Sequence, residues 1–251
     1  MIKVAILIPL CSRNQKWNNI DEIDFIKIFL PSFHRTKEED YRYIFYLGID
    51  DNDTFFNRYR EDLEYKLGYK DRIIILEGCN HNPARAWNIL YKEAYRDNCD
   101  YFYQIGSDVQ LLSPKWTSYF ISVLKKHNNI GITGGVERRY WIERAIVNQL
   151  AILENVFLSR KHYEFFSSLF YPEFKNWFID DHITRSYGKY AFICPNILYN
   201  NVNRILPSNR NDGNRRYNTD IVDKERLNKA VVEWATILKK GKIEIGPVYT
   251  A

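Results

Sequence analysis

Little in this chain announces a compartment, a cofactor or a reaction outright. Its four cysteines, Cys11, Cys79, Cys99 and Cys194, lie far apart and form no CxxC pair, which argues against a zinc knuckle and against a disulfide framework. The apolar start, VAILIPL from Val4 to Leu10, is too short to span a bilayer. Ser12, Arg13 and Asn14 follow it in place of a small-residue cleavage site. It reads as a buried strand, and a reducing, cytoplasmic compartment is the expectation. No GxGxxG or Walker sequence is present, which weakens dinucleotide and P-loop readings. The absence of a GxSxG elbow and of HExxH disfavours hydrolase and zinc-protease chemistry. A strong charge of one sign is also lacking: 36 Lys and Arg against 31 Asp and Glu leave +5, an excess too diffuse to name nucleic acid as the partner.

What remains is a chain built to fold. At 251 residues with 45% hydrophobic and 27% charged residues, roughly 70–75% of the unfolded surface is expected to be buried, which rules out disorder along the whole length. Aromatics reach 16%, with 19 Tyr and 6 Trp; they suit both a sugar-binding cleft and a packed core. No internal repeat and no shift of composition marks a boundary, so one domain over 1–251 is expected.

Four segments of the first half read as strands bounded by turn residues: Val4–Pro9, Tyr43–Ile49, Arg72–Leu76 and Tyr101–Ile105. Helical spacing separates them at Ile20–Leu30, Phe55–Leu67 and Ala84–Tyr95, the last opening behind Pro83. Such alternation predicts βαβ units, an α/β class and a mostly parallel, doubly wound sheet. A helix over Pro114–Lys126 and a short strand over Ile130–Thr133 come next, with Gly134 and Gly135 expected to break the strand. Beyond them, Lys161–Phe170 reads as helix, Ile193–Val202 as extended chain and Ile221–Leu238 as an amphipathic helix. The polar, basic stretch Arg204–Thr219 reads as a mobile loop.

Three acidic sites stand out. In YFYQIGSDVQLLSPKW a buried strand ends at Gly106-Ser107-Asp108, and ligands of open α/β sheets bind beyond the carboxyl ends of strands. Asp108 is therefore either a ligand-facing carboxylate or a turn residue. In NWFIDDHITRSYG, Asp180 and Asp181 sit within an apolar run. Such surroundings favour a general base, although only one of two neighbours on a helix need face a cleft. Asp50, Asp51 and Asp53 follow the second strand. A calcium loop is disfavoured there because Phe55 occupies the place that needs Gly, leaving a helix cap or a ribose contact. Arg13, at the edge of the first strand, suits a base or a phosphate as well as plain solvent. Asn82 and Arg85 belong to the start of the third helix, whose free N–H groups are placed to receive phosphate oxygens.

In order and context these pieces resemble the GT-A class of nucleotide-sugar glycosyltransferases, specifically a family 2-like member, over roughly Ile2 to Tyr217. The matching features are IPLCSRN, the acids after the second strand, NPARAWNILYKEA, DYFYQIGSDVQLLSPKW in place of a DxD segment, and WFIDDH. The resemblance implies transfer of a hexose from a nucleotide-sugar, a UDP-sugar in the first instance, to a hydroxyl of a glycan or protein acceptor. It implies a nucleotide-binding half over 1–135 and an acceptor-side half over 136–251. Asp108 then binds a divalent cation, Mn2+ or Mg2+, on the donor diphosphate. Asp181 or Asp180 is the base. Arg13, Asp50, Asp51 and Asp53 surround the nucleoside, and Asn82, Arg85 and Ser107 join the donor site. Two departures stand against the pattern: Gly106 takes the place of the first Asp, and Asn200, Asn201, Val202 and Asn203 stand where a late ligand His is sought. Arg215 and Arg216 then offer the diphosphate an alternative countercharge. Two other classes stay open. One is a non-catalytic sugar-nucleotide or glycan-binding module. The other, a nucleic-acid binder using the basic loop, is opposed by the acids.

Overall fold

The first strand, β1 (Lys3–Leu10), is buried from Val4 onward on both faces, as an interior parallel strand requires. Its side chains divide between two cores. Val4, Ile6, Ile8 and Leu10 pack with Phe25, Phe29, Phe33 and Trp116 on one face of the sheet, while Ala5 and Leu7 meet Leu90, Tyr91 and Phe102 on the other. A computed structural model describes residues 1–68, 70–79, 82–138, 152–202, 224–241 and 243.

The other strands are β2 (Arg42–Asp50), β3 (Arg72–Leu76), β4 (Tyr101–Gln104), β5 (Val109–Leu111), β6 (Ile132–Glu137), β7 (Val156–Ser159) and β8 (Ala191–Asn201). They form one eight-stranded sheet in the order β3-β2-β1-β4-β7-β6-β8-β5. The β3-β2-β1-β4 portion is parallel throughout, as the alternating sequence predicts. Beyond β4 the sheet is mixed: β7 runs antiparallel to both β4 and β6, β8 runs parallel to β6, and β5 runs antiparallel to β8. These directions bring to one edge the carboxyl ends of β1, β2, β4, β6 and β8 together with the starts of β5 and β7. Chemistry-bearing residues far apart in sequence are thereby gathered at that edge.

Helices cover both faces. On one side lie α1 (Leu30–Thr36), α2 (Thr54–Arg58), α3 (Arg60–Lys66) and α5 (Trp116–Lys125). On the other lie α4 (Pro83–Arg96), α6 (Lys161–Phe166), α7 (Ile179–Tyr187) and α8 (Lys224–Lys240). The chain has the α/β class expected of it.

Three local expectations need correction. Ile20–Leu30 is not one α-helix but a 3-10 turn (Ile20–Glu22), a π turn (Phe25–Phe29) and the start of α1. The wider π turn lets Phe25, Phe29 and Phe33 stack in series, with ring centroids 5.8 and 5.9 Å apart, against Phe45. The Phe55–Leu67 helix is divided at Tyr59 into α2 and α3. Gly134 and Gly135 do not end a strand; β6 runs through both. A Cβ on Gly134 would strike the carbonyl of Asn155, and one on Gly135 the carbonyl of Ile197. Glycine here serves close approach of neighbouring backbone. The expected mobile loop over 204–219 lies outside the described residues.

Candidate active site

The helix carrying Asp180 and Asp181 is held from behind. His182 of α7 packs edge-on to Trp234 of α8 at 4.6 Å between ring centroids, and Trp234 stacks on Phe166 of α6 at 3.9 Å. Phe178, the residue before α7, takes a left-handed backbone (φ 64°). That conformation is strained for a bulky residue. It turns the chain so that the first turn of α7 opens with the two carboxylates. Asp181 accepts a hydrogen bond from the Arg185 guanidinium one turn on, at 3.2 Å.

A cleft of about 540 Å³ opens at the sheet edge, within the size range of small-molecule sites. Asp108, Asp180 and Asp181 all line it, with Trp87 and Trp177 among the walls. The turn from β4 to β5 brings Asp108 there. A Cβ on Gly106 would lie 3.0 Å from the Asp108 Oδ1, so the carboxylate folds back over the glycine, and a side chain at 106 would crowd it. Ser107 is buried in the same turn. The backbone of Val202, just past β8, donates to the Asp108 carbonyl at 3.1 Å.

The other candidates are arranged differently. Asp53 is buried and its carboxylate accepts three hydrogen bonds, from the Ser12 N–H at 2.8 Å, the Ser12 hydroxyl at 2.7 Å and the Phe56 N–H at 3.2 Å. It caps α2 and ties the loop after β1 to the end of β2. Asp50 ends β2 in a buried position, and Asp51 accepts from the Gly78 N–H at 3.4 Å. Beside them, burial and then Asp50 push the Cys79 thiol up to about 11. Arg13 and Arg85 are exposed. Arg215, Arg216 and Asn203 lie outside the described residues.

The start of α4 is not free to receive phosphate. Pro83 has no N–H, Ala84 donates to the Lys175 carbonyl at 2.9 Å, Arg85 to the Asn82 side chain at 3.1 Å, and Ala86 to the Asn82 carbonyl at 3.0 Å. Each donor of that first turn is already matched. Asn82 acts there as the helix cap.

Glu154, Asn155 and Tyr199 escape the sequence reading, while Asn201 is one of the residues standing where a late ligand His is sought. Glu154 and Asn155 line the cleft immediately before β7, and Asn201 lines it from the end of β8. Tyr199 on β8 donates its buried hydroxyl to Glu154 at 3.4 Å. Burial drives that phenol well above its ordinary range, and the nearby charges of Glu154 and Asp180 add to the effect. No local motif flags these residues, because their place follows from the antiparallel pairing of β7 with β4.

Among the described residues no three His, Cys, Asp or Glu side chains gather to hold a metal ion. With Gly106 in the place of a second carboxylate at the turn, these residues do not fit a preformed divalent-cation site.

No protein-family model and no curated protein sequence matches the chain. Solved structures do. TarS of S. aureus, residues 1–349, in complex with UDP-GlcNAc is 13% identical with a TM-score of 0.56, covering 95% of this chain and 66% of that one. The same protein in complex with UDP gives 14%, 0.54, 94% and 65%. The mannosyltransferase PcManGT from Pyrobaculum calidifontis, in complex with GDP-Man and Mn2+, gives 13%, 0.54, 97% and 65%. This chain thus spans just under two thirds of each of those chains. At such identity the likeness speaks for architecture alone: the chain has a GT-A-like fold, shared with these structures.

Proposed function

We propose that this protein is a glycosyltransferase that moves a hexose from a nucleotide-sugar, a uridine one in the first instance, to a hydroxyl of a glycan or protein acceptor. The observation that carries this reading is the meeting of Asp108, from one half of the chain, with Asp180 and Asp181, from the other, in one cleft beyond the strand ends. Structural neighbours bound to UDP, UDP-GlcNAc and GDP-Man support the donor class.

In this reading the residues up to about 135 take the nucleotide. Arg13, Asp50 and Asp51 flank the nucleoside, and Asp53 braces their loops. Ser107 and Asp108 face the sugar of the donor, and Arg85, Arg215 and Arg216 supply countercharge to its diphosphate. Asp181 is the base. Its bond to Arg185 fixes one rotamer, and the positive charge offsets repulsion from the neighbouring acids, while Asp180 stands beside Tyr199. In the inverting course Asp181 removes the acceptor proton as the acceptor oxygen bonds to the anomeric carbon. The bond from that carbon to the diphosphate oxygen breaks on the opposite face, and its electron pair leaves with the nucleoside diphosphate.

The test has two parts. A thermal-shift panel of UDP and GDP, each alone and with Mn2+ or Mg2+, reads donor recognition without needing an acceptor, because selective binding stabilises the folded state. Turnover of UDP-sugars is then compared between wild type and Asp181→Asn. The expected result is at least roughly a hundredfold loss of turnover with nucleotide binding intact. Unchanged turnover removes Asp181 from the base role. One observation favours a second reading, a non-catalytic sugar-nucleotide binder: the lack of a three-ligand acidic cluster among the described residues. Nucleotide binding without turnover across donors and acceptors would select it.

A further inference from the structure

Asn155 is 4% exposed, lines the cleft, and carries an amide nitrogen with no hydrogen-bond partner. Its side chain lies beside the Tyr199 hydroxyl and favours the ionised form of that phenol, but the amide nitrogen does not meet hydrogen-bond geometry with it or with any other group. A buried amide left in this state is costly, and such a group in a folded protein calls for a role that repays it. Its neighbour Glu154 lines the same cleft and offers an acceptor, with one carboxylate oxygen steadied by Tyr199 at 3.4 Å. An unmatched donor and a steadied acceptor therefore stand side by side.

Their position is set by the sheet. Gln104 pairs with Val156 across the β4/β7 ladder, and the Gln104 side chain accepts the Val156 N–H at 3.1 Å. Two residues before Val156 is Glu154, and two beyond Gln104 is Gly106, the glycine over which the Asp108 carboxylate folds. Asp108, Glu154 and Asn155 thus belong to one corner of the cleft. A neighbouring pair of sugar hydroxyls, each able both to donate and to accept, matches an acceptor next to a donor.

We infer that Glu154 and Asn155 form the subsite that reads the hydroxyls of the transferred monosaccharide, one hydroxyl donating to the Glu154 carboxylate and its neighbour accepting from the Asn155 amide, with Tyr199 as the residue that positions Glu154. This assignment rests on the nucleotide-sugar reading above and adds to it which residues select the sugar. The subsite involves no bond making; it contributes to binding the sugar and not the nucleoside diphosphate.

The experiment measures, for wild type, Glu154→Gln, Asn155→Leu and Tyr199→Phe, the affinity for a nucleoside diphosphate and for its sugar conjugate, using UDP with UDP-GlcNAc, UDP with UDP-glucose, and GDP with GDP-mannose. Melting of the unliganded proteins checks that each variant is folded. Asn155→Leu replaces an unmatched amide with an apolar side chain of similar size, so its melting temperature is expected to equal or exceed that of wild type. Glu154→Gln should lower affinity for the preferred sugar conjugate about tenfold or more, the scale of a hydrogen bond to a charged group, with affinity for the bare diphosphate unchanged. Asn155→Leu and Tyr199→Phe should move the same ratio in the same direction. A wild-type ratio retained in both folded Glu154→Gln and folded Asn155→Leu overturns the subsite while leaving the transferase reading intact. If wild type binds none of these nucleotides, the transferase reading fails and the subsite falls with it.

Discussion

The Arg185 guanidinium lies 3.2 Å from the Asp181 carboxylate, one helical turn away, with both side chains about one fifth exposed. As a contribution to stability such a pair is worth little, since partly solvated ion pairs lie near 0–1 kcal/mol. Its consequence is orientation: the carboxylate is held in one rotamer at the cleft. Arg185→Gln is therefore expected to lower kcat roughly tenfold, the scale of misplacing a catalytic group, while donor KM and melting temperature stay close to wild type. Steady-state kinetics at saturating donor checks it. An unchanged kcat would mean that the pair does not orient Asp181 for the base role proposed for it.

Ser12 and Asp53 make a second coupling, this time between the ends of β1 and β2. Two bonds from Ser12 and one from Phe56 converge on a buried carboxylate. Asp53→Ala leaves the Ser12 hydroxyl and the Ser12 and Phe56 amides without their acceptor, and removes the cap of α2. The expected loss is about 2–3 kcal/mol, from the cap and the stranded donors together. Urea denaturation measures it. Weaker UDP binding should accompany it, because Arg13 and Asp51 sit on the loops that Asp53 joins.

The parallel half of this architecture is legible in the sequence because each of its strands is an apolar run between turn residues. β1 to β4 fall where those runs predict, and α4 begins at the proline that follows its cap. The segments that mislead are those where a local rule yields to tertiary contact. Gly134 and Gly135 carry the composition of a break but the role of a tight strand crossing. The apolar spacing of Ile20–Leu30 suits a helix, yet stacking of Phe25, Phe29 and Phe33 is reached through a π turn. In the cleft, Asp108, Asp180 and Asp181 are visible as acids in unusual apolar contexts. Glu154, Asn155 and Tyr199 are not, since no spacing rule connects β7 and β8 to β4. Only the antiparallel register does so.

The parallel pairing of β6 with β8, whose register shifts between Gly134 and Val136, makes Gly135 a sensitive position. A methyl group there would meet the Ile197 carbonyl and the Ile197 side chain of β8 closer than ordinary packing allows. Backbone cannot yield as a flexible side-chain tip can, so Gly135→Ala is expected to cost about 2–3 kcal/mol, at the upper end for overpacking. Chemical denaturation reads the loss, with an alanine at exposed Gly68, where a Cβ meets no atom nearer than 3.9 Å, as the comparison. Equal stability of the two variants would show that β6 and β8 separate easily.

Acid sensitivity should arise from the far side of the sheet. His162 is buried, its Nε2 facing the Ser168 and Leu169 carbonyls at 2.9 and 3.1 Å and its Nδ1 facing the Tyr187 hydroxyl at 2.8 Å. Carbonyls only accept, so Nε2 carries the proton and Nδ1 takes the tyrosine hydroxyl, which describes a neutral ring. Burial lowers His162 to about 4 and His182 to about 3 from an ordinary 6.5. Between those values and 6.5 the unfolded chain binds more protons than the folded one, so stability is full above about 6.5 and falls as the pH drops through that window. At pH 5 the loss is about 2 kcal/mol for each histidine. Melting temperature measured from pH 7.5 to 5 should therefore decline steadily below about 6.5, and His162→Gln should show a shallower decline than wild type even where its absolute stability is lower. An identical slope in that variant would mean that His162 opens to solvent and is protonated without unfolding.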